Sequence, residues 1–107
     1  MEKEESKLKS RELVNLLTNK FDKCVWNKLH SSTIFELKFQ DAGRICIDMK
    51  VLLVYDKADD LILRNEPTAE EGDAYQLASL WSMISKRHRE STENELHSII
   101  KYLKTLK

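Results

Sequence analysis

Glu93, His88 and His97 come nearest to a metal-ligating pattern in this 107-residue chain. Glu93 and His97 stand four positions apart and share a helical face, whereas His88 and His97 stand nine apart and do not. A divalent cation takes three or four protein ligands in a closed site, and no third His or Cys is placed to complete the pair. The spacing therefore reads as an exposed i,i+4 contact, and no metal or other cofactor is expected. Nucleophilic catalysis needs a hydroxyl or thiol beside a base that a third group orients. The serines fall mostly at turns and helix ends, Cys24 and Cys46 have no histidine beside them, and there is no glycine-rich phosphate loop. The acidic pairs Asp59-Asp60 and Glu70-Glu71 sit in expected turns, where water keeps carboxylates ordinary. No residue is put forward as catalytic, and the chain is read as not an enzyme.

Lys86-Arg87-His88-Arg89 is the one dense basic run. With Lys101, Lys104 and Lys107 it would form a basic strip, and Lys86, Arg87 and Arg89 are the candidate nucleic-acid contacts. Cations late in a helix also suit its dipole, so each has a local reason to be there. The whole chain offers no electrostatic drive toward nucleic acid or anionic lipid, since 18 Lys and Arg balance 18 Asp and Glu. The aromatic residues have a different use. Trp26, Tyr75 and Trp81 are large enough to close a small core, and Trp26 or Tyr75, if exposed, becomes an anchor for a protein partner.

These residues must be positioned by a short list of elements. Apolar residues at 41% and charged residues at 34% describe a globular domain with a heavily charged surface, and two glycines and one proline leave little room for long loops. From Ser6 to Leu29 the residues Leu13, Leu17, Phe21, Cys24 and Val25 recur at three or four, which predicts one amphipathic helix. The charged stretch before Leu8 is expected to fray. Ile34 to Gln40 alternates, with Phe35, Leu37 and Phe39 on one side, and Asp41-Ala42-Gly43 then reverses the chain, with Gly43 taking positive φ. Arg44 to Tyr55 reads as one long strand that puts Ile45, Ile47, Met49, Val51 and Leu53 on a single face. A polar turn at Asp56 to Asp60 leads into a short third strand, Leu61 to Leu63.

Beyond Pro67 the pattern is helical again. A capping box at Thr68/Glu71 or Asp73/Gln76 starts a helix that carries Leu77, Leu80, Trp81 and Ile84. Thr92 followed by Glu95 is a second such box, so two helices with a bend near Ser91 are expected, the latter carrying Leu96, Ile99, Ile100, Leu103 and Leu106. A single long helix of about 50 Å is the alternative, since no glycine or proline follows Asp73. The fold class is thus α+β over residues 1–107 as a single domain: an N-terminal helix, a three-stranded antiparallel meander, and two C-terminal helices packed on one face. Its expected core comprises Leu17, Phe21, Val25, Phe35, Leu37, Phe39, Ile45, Ile47, Val51, Leu53, Leu77, Trp81 and Ile84. Two reduced thiols are expected for Cys24 and Cys46.

The order helix, meander, two helices resembles the RWD fold, including the small RWD-like domains that cap coiled-coil subunits of kinetochore complexes. The helix over Lys7 to Leu29 and the helices over Tyr75 to Leu106 carry the likeness. The chain departs from many RWD domains in having no Tyr-Pro turn, its only proline following Glu66, and in showing three strands where four are common. The resemblance implies a non-enzymatic adaptor that pairs with another subunit inside a larger assembly. The residues lead to the same class: a protein-interaction module forming a homodimer or heterodimer, with Trp26, Tyr75, Leu96, Ile100, Leu103 and Leu106 as candidate partner contacts. A nucleic-acid-binding accessory factor is the alternative. The charged N-terminus is unlike a signal peptide and the longest apolar run, Val51 to Tyr55, is too short to cross a bilayer, so an intracellular site, nuclear or cytoplasmic, is expected.

Overall fold

The computed structural model describes residues 3–30, 32–69 and 71–106. Helix α1 (Lys3–Asn19) leads through a single 3-10 turn at Phe21–Lys23 into β1 (Asn27–Lys28). An antiparallel meander follows: β2 (Phe35–Lys38), β3 (Arg44–Ile47), β4 (Leu52–Tyr55) and β5 (Leu61–Asn65), in the spatial order β1-β2-β3-β4-β5. One helix, α2 (Gly72–Thr105), completes the chain. The α+β class holds, but the sheet has five strands rather than three and the C-terminal helical pair is a single 34-residue helix.

Each correction has a local cause. The apolar spacing of Phe21, Cys24 and Val25 suggests a helix to Leu29, yet Asn19, Asp22, Val25, Trp26 and Asn27 are weak helix formers. Their segment instead unwinds and runs extended beside the free edge of β2, pairing Asn27 with Glu36 and Lys28 with Phe35. Leu29 N–H donates to the Ile34 carbonyl at 2.9 Å, extending that edge. The expected long strand is broken at Asp48 to Val51, where Asp48 N–H donates to the Val51 carbonyl at 3.0 Å. Neither central residue of this turn, Met49 or Lys50, takes positive φ. Neither is glycine, asparagine or proline either; the one turn-favouring residue is Asp48 at the first position, whose carboxylate accepts from Met49 N–H at 2.7 Å.

That reversal changes which side chains face the core. Ile47 pairs with Leu52 and Ile45 with Val54, so Leu52 and Val54 point inward and Leu53 points outward beside Cys46. Leu52 is fully buried, while Val51 and Leu53, both expected in the core, are half-buried. Phe39 is 43% exposed because β2 ends at Lys38, and Val25 is 74% exposed because its segment left the helix. The inward row Phe35, Leu37, Ile45, Ile47, Leu52 and Leu63 packs against Val14 and Leu17 of α1 and against Leu77, Leu80 and Ile84 of α2. Phe21 and Trp81 pack against that cluster from its rim.

Gly43 is needed for a different reason than the one its sequence context suggests. Its φ is not positive. A Cβ there would sit on the Tyr55 carbonyl oxygen, 2.7 Å from the Tyr55 carbonyl carbon and 2.8 Å from that of Asp56. Positive φ occurs instead at Asp59 (71°), in the loop between β4 and β5. Asp59 N–H donates to the Asp56 carbonyl at 3.0 Å, and Asp56 N–H to that of Asp60 at 2.9 Å. This is a three-residue hairpin loop whose last residue adopts the left-handed conformation, for which Asp is among the better non-glycine residues. Ile62 is the extra residue of the bulge that follows, since Val54 pairs with Leu63 and Tyr55 with Leu61.

Helix α2 has no break near Ser91. Thr92 is not a cap: its hydroxyl donates to the His88 carbonyl at 3.0 Å, one turn back, and the helix runs on. Neither expected capping box forms at its start. The N-cap is Glu71, with no side-chain cap bond, and Asp73 instead accepts from Arg11 Nε at 2.9 Å. Lys7, in the charged stretch expected to fray, is helical and lies 3.1 Å from Glu71. Together with Asn65 Nδ2 donating to buried Ser10 Oγ at 2.8 Å, these contacts fasten α1 to the end of β5 and the root of α2.

Candidate functional site

The polar cluster with the most developed geometry lies on the sheet face that turns away from the helices. Glu36 and Cys46 are cross-strand partners there and both are buried. Arg44 Nη1 donates to Glu36 Oε2 at 2.8 Å, and its Nε donates to Asp59 Oδ1 at 2.9 Å. The guanidinium also lies 4.1 Å from the centre of the Tyr55 ring. Two carboxylates hold Arg44 further above its ordinary value, Glu36 first and then Asp59. Burial pushes the Cys46 thiol up, and the nearby Arg44 opposes it in part. A thiol biased toward its protonated form, with no imidazole against it, is a poor nucleophile. Arg44 is engaged on both its donor edges. The arrangement closes the loop of Asp59 onto the sheet and offers no reacting group.

The histidines and the basic run do not converge either. Among the described residues no group of three His, Cys, Asp or Glu is placed to hold a metal ion. His88 packs edge-on against Phe35, with ring centres 5.7 Å apart. Of the candidate nucleic-acid contacts, Lys86 and Arg89 are exposed and make no ion pair among the described residues. Arg87 donates from Nη1 to the Phe21 carbonyl at 3.0 Å and stacks over that ring at 5.1 Å. The run is therefore divided between the solvent and a structural contact. Of the acidic pairs, Asp59 serves Arg44 and Glu71 serves Lys7, while Glu70 lies outside the described residues.

The apolar candidates behave differently. Trp81 is held within the fold: its indole N–H donates to the Thr33 carbonyl at 2.8 Å and its ring meets Phe35 edge-on at 6.4 Å. Trp26 is half-buried, packs on the core, and lines a cleft of about 180 Å³ with Cys24, Val25, Ile84, Arg87, His88 and Ser91. Its Nε1 is buried with no partner among the described residues. Tyr75, at the root of α2, is 78% exposed.

From Arg89 to Leu106 every residue is exposed. Within that span Leu96, Ile99, Ile100, Tyr102, Leu103 and Leu106 are each 41–65% exposed. The structure thus brings Leu96, Ile100, Leu103 and Leu106 together as one apolar row and leaves Trp26 just before β1 and Tyr75 at the opposite end of α2. Ile99 and Tyr102 belong to the same surface. The spacing of three and four that marks Leu96 and Leu103 also marks Ile99, whereas Tyr102 is recognisable only from the helix being unaccompanied on every side.

The helix reaches this exposure because it outruns the sheet. Its 34 residues span about 51 Å at 1.5 Å per residue, and the three buried positions, Leu77, Leu80 and Ile84, all lie in its first half. The molecule measures 64 × 33 × 25 Å with a radius of gyration of 16.6 Å, against about 13 Å for a compact domain of this length. A second apolar surface lies at the other side of the fold, a groove of about 320 Å³ between α1 and β5 lined by Leu13, Leu16, Val54, Ile62 and Leu63. No helix is long and apolar enough to cross a membrane among the described residues. No family model matches the chain, and no curated protein or solved structure is similar to it.

Proposed function

We propose that this chain is a non-enzymatic protein-interaction module that acts inside the cell, in the nucleus or cytoplasm, as a subunit or adaptor of a larger assembly. The observation that carries the reading is the outer half of α2, Arg89 to Thr105, which presents an apolar row and is exposed throughout. Five large apolar side chains on one solvent-surrounded helix, with Leu106 just past its end, are unfavourable unless another surface covers them, and an amphipathic helix laid into a partner is a common way to do so. The likeness to RWD-like subunits belongs to this proposal as well, although the five strands and the single C-terminal helix depart from the element order on which it rests. Nucleic-acid contact through Lys86, Arg87 and Arg89 is the weaker alternative, because Arg87 already has two intramolecular partners.

The test compares the chain with a variant carrying Leu96→Glu and Leu103→Glu, using each as bait for co-purifying protein and measuring its thermal midpoint. The reading expects capture by the original chain, loss of capture by the variant, and an unchanged midpoint. Equal capture by both would refute it.

A further inference from the structure

Resting on that reading, we infer that the surface covering the outer half of α2 is a second copy of this chain, paired antiparallel along the helix. Three observations converge on it. The apolar row is a continuation of the row that packs on the sheet: Leu77, Trp81, Ile84 and His88 lead by steps of three and four through Thr92 to Leu96, Ile99, Leu103 and Leu106. The partner must therefore approach from the side on which the globular body lies. A parallel copy would bring its own body into the same space, at the same level along the axis. An antiparallel copy places its body beyond the helix tip, where nothing obstructs it.

Charge selects the same direction. Residues 90–95 carry Glu90, Glu93 and Glu95 and no cation, while residues 101–107 carry Lys101, Lys104 and Lys107 and no carboxylate. None of the described members of these two runs forms an ion pair within the chain. A parallel pair sets acid against acid and lysine against lysine. The antiparallel pair sets each acidic run against its partner's lysines, twice over, because a two-fold contact repeats every interaction.

The apolar row fits that register. Setting Leu96 against the partner's Leu103 and Ile99 against the partner's Ile100 puts the two-fold axis between residues 99 and 100. Glu95 is then level with the partner's Lys104, and Glu93 lies two residues from that level. The contact is closed, so it stops at two copies. It is also small, with only four apolar layers, so a dissociation constant on the order of tens of micromolar is expected rather than an obligate dimer.

Sedimentation equilibrium of the whole chain over a concentration series, at low and high salt, tests the pairing with three charge variants. The first carries Glu90→Lys, Glu93→Lys and Glu95→Lys, the second Lys101→Glu and Lys104→Glu, and the third all five. The expected result is reversible dimerisation of the original chain that weakens with salt. The first and second variants should each associate about tenfold more weakly or worse, and the third should regain the dimer. A third variant that fails to regain it, with its helical circular dichroism intact, overturns the antiparallel arrangement. If reversal lowers the helix signal, the corresponding Gln variants must still weaken association and its salt dependence. A monomer at every concentration overturns self-pairing altogether and assigns the row to a different protein. The broader interaction reading is judged separately, by the Leu96→Glu and Leu103→Glu comparison.

Discussion

Arg87 of α2 donates from Nη1 to the backbone carbonyl of Phe21 at 3.0 Å while its guanidinium covers that residue's ring at 5.1 Å. One side chain in the middle of a basic run thereby ties the 3-10 turn after α1 to the long helix. Arg87→Ala should lower stability by about 1 kcal/mol, since it removes one hydrogen bond and one partly exposed cation–π contact. Lys86→Ala and Arg89→Ala should each fall within about 0.5 kcal/mol of the original chain. Urea denaturation of the three variants decides this. Equal effects at all three positions would mean that the run acts as a charge patch after all.

The two glycines should respond in opposite senses to alanine. At Gly43 the added methyl meets the backbone of Tyr55 and Asp56, which cannot move without opening the pairing of β3 and β4. The expected cost is about 2–3 kcal/mol. At Gly72, the first residue of α2, nothing lies within 4 Å of the new carbon, and its φ is not positive. Gly72→Ala should stabilise by about 0.5 kcal/mol through a less free unfolded chain. Thermal or urea midpoints of the two variants measure both effects.

The two thiols should separate by reactivity and by pH. Cys46 is buried in the outer sheet face and Cys24 is half-buried at the cleft beside Trp26. Under native conditions an alkylating reagent should label Cys24 well before Cys46, which reacts only when the sheet opens. Burial holds the Cys46 thiol above its ordinary value, so the unfolded chain loses that proton first as the pH rises. The stability this group contributes is whole below the ordinary thiol range and declines as the pH climbs through the raised folded value. Cys46→Ala should therefore show a smaller loss of urea midpoint between neutral and strongly alkaline pH than the original chain.

The outer half of α2 should be dispensable for folding. A chain ending at Ser91 retains Leu77, Leu80, Trp81 and Ile84, together with His88 against Phe35. Its unfolding free energy should stay within about 1 kcal/mol of the full chain, because large losses need buried groups and none is removed. Helical circular dichroism should fall by the share of α2 deleted. Loss of cooperative unfolding in the shortened chain would show that the arm supports the core.

What the sequence discloses and what it hides follow one physical line. Alternation places Ile45 and Ile47 correctly on the helix-facing side, although Cys46 between them is buried as well, on the outer face. The turn at Met49 and Lys50 is easily read through because its central residues need no positive φ and only Asp48 marks it, so the alternation carries across and assigns Leu53 rather than Leu52 to the core. Val25 fails for a related reason: helical spacing is satisfied by a segment that gains more by pairing with β2. The bend at Ser91 is wrong because Thr92 has two uses for its hydroxyl, a cap or a bond to the carbonyl four residues back, and local sequence does not choose between them. The apolar row from Leu96 to Leu106 is legible as a surplus, since too few core positions remain for it. That the surplus stands free of the body depends on where the sheet ends, which no local pattern records.

The unbroken course of α2 through Ser91 makes it a cantilever. Its inner half is clamped by Leu77, Leu80 and Ile84, by Arg11 on Asp73, and by the Trp81 indole on the Thr33 carbonyl. With neither proline nor glycine after Gly72 to act as a hinge, a sideways load at Leu103 is delivered to that clamp rather than absorbed along the way. Tension on the arm would first strain the contacts of Arg87 with Phe21 and of His88 with Phe35, the last before the helix leaves the body. The grip of the domain on its own helix, more than the strength of any contact at the tip, would then set the force that the connection withstands.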